Sequence, residues 1–504
     1  MMSRLLPVFM AVLFGLGMAT QIAHRPLWDP DEGRNAEVVR EEVVEGHWLI
    51  PTFNGEPRLQ KPPLYYWITG ALCASRGLNE YTLRLTSLLA AMGTLVFTFY
   101  LAATILSPQA AAMGTLILAS TIFFMLYSNI VIFDMLLTML CTATVLFFWR
   151  FQKEGGNFFL VLAYLFAALA FLTKGPVGCL PMVFIGLYRM FRTGPPFWKS
   201  LFWGIPLVCV VALPWFFVAG AHYPQGVIQF FLKENLGRFL QGYGGHREVW
   251  FYYLVVLLVG AFPWVLSVFR LPFVEETPKG WGFLVLWFVG TVLFFSLSRS
   301  KAPHYILPAF VPLSIMLGHL WSTSSPREAP VGLGVMFLLA PLGLSLWGVL
   351  PVPHLLLAGL LVGGLMLVLA GCVGSREGSF MLTALMLFSL WVGAFQVIPP
   401  LNELQSQKGL AKQLSLEPVE KVYFHKTLSP SLLYYLGVRG EMIEDPEHAL
   451  ERPLVLDLKR YLRHPYWWSE DALVWGKKVV IPNGKESNEE TIASRGKEHS
   501  PCQS

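Results

Sequence analysis

Long apolar runs recur along the first 400 residues of this chain and constrain its fold more than any other feature. Apolar residues make up 55% of the 504 residues, charged residues only 14%, and the mean hydropathy is +0.54. A helix of roughly 20 apolar residues spans a bilayer with all its backbone polar groups bonded internally. The sequence therefore predicts an α-helical polytopic membrane protein with about thirteen transmembrane helices. The predicted spans are 5–21, 82–104, 109–127, 132–150, 157–173, 176–191, 200–220, 251–270, 281–298, 304–321, 329–350, 354–373 and 379–398.

Lysine and arginine in the short links predict the orientation. No small-residue cleavage site follows the first apolar run, so we interpret it as a retained helix with its N-terminus inside. The inner links then carry most of the basic residues. These are Arg150, Lys153, Arg189, Arg192, Lys199, Arg270, Lys279, Arg327 and Arg376. Two long loops, 22–81 and 221–250, and everything after residue 400 are expected outside.

The two outer loops are predicted to contain helices. Asp29 is a candidate N-cap, followed by Pro30 at the first helical position, and apolar residues at helical spacing extend the helix over 30–45. We expect this helix to lie on the membrane as an amphipathic element. Residues 225–240 predict a second surface helix.

The composition changes after residue 400, where the transmembrane domain 1–400 is expected to end. Strands are predicted at 419–424 and 479–481, and short helices at 430–436 and near 456–462. We interpret 401–483 as a small α/β domain and 484–504 as a disordered tail.

Ionisable side chains at the ends of the apolar runs all fall on the outer face. The carboxylates are Asp31, Glu32 and Asp134, and the basic residues are Lys61, Lys174, His246, Arg299 and Lys301. Ionisable groups near hydrocarbon are costly and usually functional. Helix capping and contacts with lipid headgroups remain alternative explanations for individual members. Their convergence on one face predicts a catalytic site at the membrane surface that handles an anionic group.

Several classes of site lack support in the sequence. The six cysteines show no paired spacing, so no disulfide framework or cysteine metal site is predicted. No phosphate-binding glycine motif of a nucleotide enzyme is present. The net charge of +5 gives no reason to expect a nucleic-acid partner. These observations favour a donor already embedded in the membrane.

Six segments, in order over about residues 1–400, resemble the bacterial relatives of the protein O-mannosyltransferases, and most closely the aminoarabinose transferases that modify lipid A. The segments are Asp29-Pro30-Asp31-Glu32-Gly33-Arg34-Asn35-Ala36-Glu37, Lys61-Pro62-Pro63, Phe133-Asp134, Leu172-Thr173-Lys174-Gly175-Pro176, Glu234-Asn235-Leu236-Gly237-Arg238-Phe239 together with His246, and Ser300-Lys301-Ala302-Pro303-His304-Tyr305-Ile306-Leu307-Pro308.

The resemblance implies a GT-C glycosyltransferase of the bacterial inner membrane, with thirteen membrane helices and a periplasmic α/β domain. Such enzymes transfer a sugar with inversion from a polyprenyl phosphate to an acceptor. By motif, Asp31 would be the essential carboxylate and Asp134 the second acidic residue. Glu32, beside Asp31, is a further candidate catalytic carboxylate. The resemblance implies that Lys61, Lys174, Lys301 and Tyr305 bind the lipid phosphate. Arg238 and Arg299 are further candidates for binding the donor.

One position departs from the family pattern. The aminoarabinose transferases have glutamate before the lysine of the Lys-Pro motif, where it is implicated with a histidine in binding a metal. This chain has Gln60 there. A neutral amide is a poorer ligand, so a divalent metal at His246 is an open expectation.

The expected function is therefore transfer of a polyprenyl-phosphate-linked sugar to lipid A or a related envelope glycolipid. Transfer to protein hydroxyls is the alternative within the class. A transporter or flippase of lipid-linked sugars and a non-catalytic assembly scaffold are the alternatives outside it. Transporters place ionisable groups near the middle of the membrane, whereas these lie at one face.

Overall fold

A computed structural model describes residues 2–191, 197–242, 248–273, 277–324, 328–347, 354–373, 375–394, 406–415, 419, 421–425, 428–443, 454–457, 473–475 and 478–481. Helices dominate the part of the chain up to residue 394. Their bounds are Met2–His24, Asp31–Val44, Leu64–Arg76, Glu80–Ile105, Pro108–Ser120, Ile122–Ser128, Phe133–Glu154, Asn157–Lys174, Gly175–Cys179, Leu180–Met190, Phe197–His222, Pro224–Gln229, Phe230–Gly237, Arg238–Gln241, Tyr252–Gly260, Trp264–Phe273, Trp281–Leu297, Pro303–Ala309, Phe310–Thr323, Glu328–Trp347, His354–Val373 and Arg376–Ala394.

Multiple helices are suited to crossing a membrane. Six in the described chain are long and apolar enough, or eight if each of two bent pairs is one span. The first bend, of 65°, falls at Thr121, whose ψ of 133° is extended rather than helical. The second bend, of 115°, falls between Gly260 and Trp264. This break contains Pro263, which has no N–H to donate to a helix. The expectation of a mostly helical, multi-pass membrane protein is confirmed, and the count of thirteen spans stays a prediction.

The chain divides into two compact units. The first comprises Met1–Ile22, Leu59–Tyr65 and Arg84–Phe395, and the second comprises Ala23–Arg58, Tyr66–Leu83 and Gln396–Ser504. Small residues allow close helix packing in the first unit. A Cβ on Gly318 would lie 2.4 Å from the backbone nitrogen of Gly114, so the helices Pro108–Ser120 and Phe310–Thr323 touch through their backbones.

The helix Asp31–Val44 of the second unit lies close to its predicted position, but its surroundings and its cap differ. Eight consecutive residues from Asn35 to Glu42 are buried, so protein encloses both faces of this helix. The prediction that Asp29 caps the helix is wrong. Its carboxylate instead accepts hydrogen bonds from the Ser429 hydroxyl and from the backbone N–H and hydroxyl of Ser431. The Asp29 carboxylate therefore bonds to a segment that is distant in the sequence, and not to the first turn of the helix that follows it.

The second unit also contains two sheets. Strands β1 (Thr52–Phe53) and β2 (Glu56–Pro57) flank a turn at Asn54 and Gly55, which both have positive φ, as a type I′ turn requires. The second sheet has the order β4-β3-β5-β7-β6, in which β3 is parallel to β4 and β5 and the remaining pairs are antiparallel. Its strands are β3 (Lys421–His425), β4 (Arg439–Ile443), β5 (Leu454–Asp457), β6 (Leu473–Trp475) and β7 (Lys478–Ile481).

The predictions for this C-terminal region are only partly correct. The strands at β3 and β7 and the helix Pro430–Leu436 match the expectation. The helix predicted near 456–462 is wrong at its start, because β5 pairs with β3 and β7 there. A short apolar run does not distinguish a strand from a helix until its partners are known. The predicted tail 484–504 lies outside the described residues, and the domain boundaries remain predictions.

The buried carboxyl group of Glu42, in the second unit, is expected to make the stability of the protein depend on pH. The side chain of Glu42 is buried, neither carboxyl oxygen has a hydrogen-bond partner among the residues that the structure describes, and burial raises its pKa to about 8. The unfolded chain loses this proton at lower pH than the folded protein, so the free energy of unfolding should fall as pH rises from about 4.5 to 8. We expect Glu42→Gln to remove up to about 1.4 kcal/mol per pH unit of this slope.

Thermal and denaturant unfolding of wild type and variant between pH 5 and 8 would measure that difference. Equal slopes in the two proteins would contradict the assignment. Asp31→Asn is the matched control, because Asp31 lies on the same helix but is exposed.

Candidate active site

Asp134 and Lys174 form a buried ion pair in the first unit. Lys174 Nζ donates to Asp134 Oδ1, and the side chains are 9% and 2% exposed. Lys174 is the last residue of the helix Asn157–Lys174, and Asp134 lies in the first turn of Phe133–Glu154. The pair therefore joins the ends of two helices.

Gly175 is required next to this pair. It ends the helix with a φ of 75°, and a Cβ there would lie 2.6 Å from the ring of Phe230. A larger residue would be strained by its backbone and would also displace Phe230. The glycine thus allows the 224–241 segment to approach Lys174.

His304 and Tyr305 lie next to the ion pair of Asp134 and Lys174. His304 Nε2 lies 3.8 Å from Asp134 Oδ2, and Lys174 Nζ lies 4.5 Å from the centre of the Tyr305 ring. A cation over an aromatic face is stabilised by the ring's quadrupole. Both residues belong to a 3₁₀ helix, Pro303–Ala309, and their ring centres lie 4.9 Å apart.

Lys61, which precedes the helix Leu64–Arg76, lies near this cluster. Pro62 and Pro63 follow it and are buried, and the ring of Tyr65 packs on Phe133 with centres 4.7 Å apart. Burial, with the neighbouring charges of Lys174 and Arg238, lowers the pKa of Lys61 to about 7. A bound anion would stabilise the protonated form of this lysine.

These basic residues line one cavity of about 460 Å³ in the first unit. Lys61, Lys174 and Arg238 contribute cations, while Ser298, Ser300 and Tyr305 contribute hydroxyl groups. The remaining wall is mainly apolar. It includes Val177, Leu180, Phe231, Leu236, Phe239, Phe294 and Phe295.

Two segments of the cavity wall are joined through their backbones. Arg299 N–H donates to Phe239 O at 2.9 Å, and Ser300 N–H donates to Arg238 O at 3.1 Å. Arg238 follows a π-helical stretch, Phe230–Gly237, within the predicted surface helix. Such stretches are rare and often lie at functional sites.

Two predicted phosphate ligands do not line this cavity. The side chain of Arg299 is exposed, and only its backbone contributes the hydrogen bond to Phe239. Lys301 is buried, but its Nζ donates to Ser298 O at 2.6 Å, which holds a residue of the wall. Their predicted roles in binding phosphate remain untested.

Asp31 and Glu32 belong to the second unit and differ in exposure. Asp31 is 56% exposed and lies 3.6 Å from Arg34 NH1. Glu32 is 3% exposed and accepts hydrogen bonds from Arg25 and from the backbone N–H of Trp28. Asp31 is thus accessible to a substrate, whereas the carboxylate of Glu32 is already hydrogen-bonded inside the protein.

The expected metal site receives no structural description, because His246 lies outside the described residues. Gln60 is exposed and supplies a neutral amide. Within the described residues, Glu41, Glu45 and His47 form a group close enough to share an ion. However, Glu41 accepts from Thr52 and Gly55, and Glu45 pairs with Arg40, so these carboxylates have protein partners.

Residues 60–218 match the model of the dolichyl-phosphate-mannose-protein mannosyltransferase family. Over these residues the chain is similar to this family. The expected resemblance to GT-C glycosyltransferases is therefore confirmed. The match includes Lys61, Asp134 and Lys174, and it ends before the segment that carries Arg238.

Curated relatives extend the similarity. The undecaprenyl phosphate-α-4-amino-4-deoxy-L-arabinose arabinosyl transferase of Edwardsiella ictaluri is 31% identical over 325 residues, which cover 61% of this chain and 58% of that protein. An uncharacterised protein of Aquifex aeolicus is 28% identical over 68% of this chain and 69% of its own length. The chain thus spans a little over half the length of the arabinosyl transferases that it matches.

A solved structure shares the fold. ArnT from Cupriavidus metallidurans bound to undecaprenyl phosphate superposes with a TM-score of 0.82 and 22% sequence identity, over 94% of this chain and 97% of that one. At this identity the comparison establishes the fold alone. The described helices therefore have the arrangement of an ArnT-type membrane protein.

Glu234, Asn235, Ser298 and Ser300 were not predicted as site residues, although each lines the cavity. Glu234 and Asn235 are four and three residues before Arg238, so helical spacing could have placed them on or near its face. Ser298 and Ser300 adjoin the predicted Arg299 and Lys301. In this link the two serines line the cavity, whereas Arg299 is exposed and Lys301 donates to the backbone of Ser298.

Proposed function

We propose that this protein transfers a sugar from a polyprenyl phosphate to lipid A or a related envelope glycolipid. The observation that carries the proposal is the cavity in which Lys61, Lys174 and Arg238 converge beside an apolar wall. Such a cavity fits a phosphate that carries a hydrocarbon chain. The names of the curated relatives favour undecaprenyl phosphate-linked 4-amino-4-deoxy-L-arabinose as the donor.

In the proposed reaction, the acceptor oxygen attacks the anomeric carbon of the sugar while the bond from that carbon to the phosphate oxygen breaks. The bonding electrons remain on the polyprenyl phosphate, and the configuration at the anomeric carbon inverts. Lys61, Lys174 and Arg238 stabilise the charge that grows on this leaving group, which is electrostatic catalysis. Tyr305 holds Lys174 in place through its ring.

We assign Asp31 the role of accepting the acceptor proton or orienting the acceptor, on the basis of the motif Asp29–Glu37 and its exposure. If the acceptor is a phosphate, its oxygen is already anionic and Asp31 mainly positions the sugar. Asp134 orients Lys174 by accepting a hydrogen bond from its Nζ. Because Gln60 offers only a neutral amide, no step of this mechanism uses a metal ion.

The proposal includes the finer topology expected from the sequence. We propose thirteen spans, a cytoplasmic N-terminus, and a periplasmic location for the loops 22–81 and 221–250 and for the C-terminal α/β domain. The excess of lysine and arginine in the opposite short links supports this orientation. Accessibility of single engineered cysteines to a membrane-impermeant thiol reagent would test it.

The central experiment is transfer by the purified protein from undecaprenyl phosphate-aminoarabinose to lipid A, followed by mass spectrometry. We expect lipid A to gain one aminopentose unit. Transfer to protein hydroxyls instead would favour the O-mannosyltransferase-type alternative. Failure to transfer to any acceptor, together with movement of the donor across liposome membranes, would favour a flippase.

Lys61 predicts that binding of the phosphate depends on pH. Since its pKa is about 7, binding an anion above pH 7 requires uptake of a proton, so affinity should fall as pH rises. The limiting slope is about tenfold per pH unit. We expect Lys61→Arg to flatten this profile, because arginine remains protonated throughout.

Isothermal titration with a methyl diester of undecaprenyl phosphate between pH 6.5 and 9 would measure the slope without titration of the ligand itself. A flat profile in the wild type would contradict the role of Lys61. Lys153→Arg is the matched control, because Lys153 is an exposed lysine of a different link.

A further inference from the structure

The charged residues that line the cavity indicate that it binds the donor and the product with different affinities. This inference depends on the proposed function. Three cations, Lys61, Lys174 and Arg238, are opposed by Glu234 in the lining and by Asp134 behind Lys174. When an anion is bound and Lys61 has taken up its proton, one positive charge is left uncompensated. The phosphate site is therefore only weakly positive despite its three basic residues.

The two lipid ligands of the reaction differ in charge. The sugar-linked donor is a phosphodiester with one negative charge. The product is a phosphomonoester, which carries about 1.5 to 2 negative charges at pH 7. One net positive charge balances the donor, whereas the second charge of the product has no counterpart.

Glu234 is the residue that produces this balance in the lining. Its carboxylate lies 2.8 Å from Arg238 NH2 and is 11% exposed, and its charge reaches Lys61 as well. Arg238 Nε is buried and has no hydrogen-bond partner among the described residues, so the guanidinium keeps a donor for a ligand. Without Glu234, the same cations would favour the more highly charged monoester.

We propose that Glu234 makes the cavity prefer the phosphodiester donor over the phosphomonoester product, and so promotes product release. A unit charge a few ångströms from the phosphate changes the relative affinity for the second charge by about tenfold or more at the effective dielectric of a partly buried site. An ordinary helical ion pair that only orients Arg238 would alter the affinity for both ligands alike.

The test compares two probes, undecaprenyl phosphate and its methyl diester, binding to the purified full-length protein at pH 7.5. We expect Glu234→Gln to shift the ratio of the two dissociation constants about tenfold toward the monoester, while Glu234→Asp, which keeps the charge, leaves the ratio near that of the wild type. Glu248→Gln is the matched control, because Glu248 is exposed and lies outside the cavity lining. With the same change of charge, it should not move the ratio.

Each outcome has a distinct meaning. An unchanged ratio in Glu234→Gln, or an equal change for both probes, would overturn the proposal. Failure of the wild type to bind either probe would instead count against the proposed function. If Glu234→Gln does not fold, Asn235→Asp adds a carboxylate to the same wall and should shift the ratio about tenfold toward the diester. No shift in that variant would also overturn the proposal.

Discussion

Replacing Lys174 by methionine is expected to lower the free energy of unfolding by about 3–5 kcal/mol and to abolish sugar transfer. The substitution leaves the carboxylate of Asp134 buried without its closest cation, and His304 at 3.8 Å compensates only in part. Thermal unfolding in detergent and the transfer assay would measure the two effects. The large loss of stability reflects the cost of an unpaired buried charge more than the strength of the pair.

The double variant Lys174→Met/Asp134→Leu separates stability from catalysis. Two apolar side chains of similar size remove both charges, so most of the stability should return while transfer stays absent. Recovery of transfer in this variant would show that the pair is structural. Arg150→Met is the matched control, because it breaks a pair with Glu154 that is exposed to solvent and should cost less than about 1 kcal/mol.

Asp31→Asn is expected to reduce transfer by about 10²–10⁴-fold, the usual range for loss of a general base, without loss of stability. Asp31 is 56% exposed, and its ion pair with Arg34 is long at 3.6 Å, so the fold loses little. Binding of the donor should persist, because the cations that line the cavity are unchanged. Turnover and donor affinity measured on the same preparation would distinguish these effects.

Glu32→Gln is the neighbouring comparison and should behave in the opposite way. Its carboxylate is buried against Arg25 and the backbone of Trp28, so its loss is expected to reduce stability before it reduces the rate. A normal transfer rate in Asp31→Asn would remove Asp31 from the mechanism. It would leave the phosphate cavity unaffected.

The helical architecture was predictable because long apolar runs have few alternatives in a bilayer. The likeness of the described helices to ArnT agrees with that expectation. The bends at Thr121 and near Pro263 were less accessible, since a run can be apolar throughout and still change direction at one residue. The short strands β4 and β6 were missed because their stability depends on neighbours rather than on their own sequence.

The site residues show the same difference. Lys61, Lys174 and Tyr305 were identified from motifs and do line one cavity, whereas Arg299 faces outward. The direction of a side chain in an extended link depends on single backbone torsions, which a motif does not encode. Glu234 lines the cavity with Arg238, four residues after it, but the motif that contains both residues assigned no role to the glutamate.

The sequence by itself determined that the chain forms apolar helices, that its charges gather at their ends, and that its motifs resemble those of lipid-linked sugar transferases. These are properties of composition and order, and they follow from the cost of placing polar groups in hydrocarbon. Only the tertiary structure decided which charges are paired. Lys174 pairs with Asp134 and Asp29 with two distant serines because contacts between remote segments, rather than local propensity, satisfy buried charges.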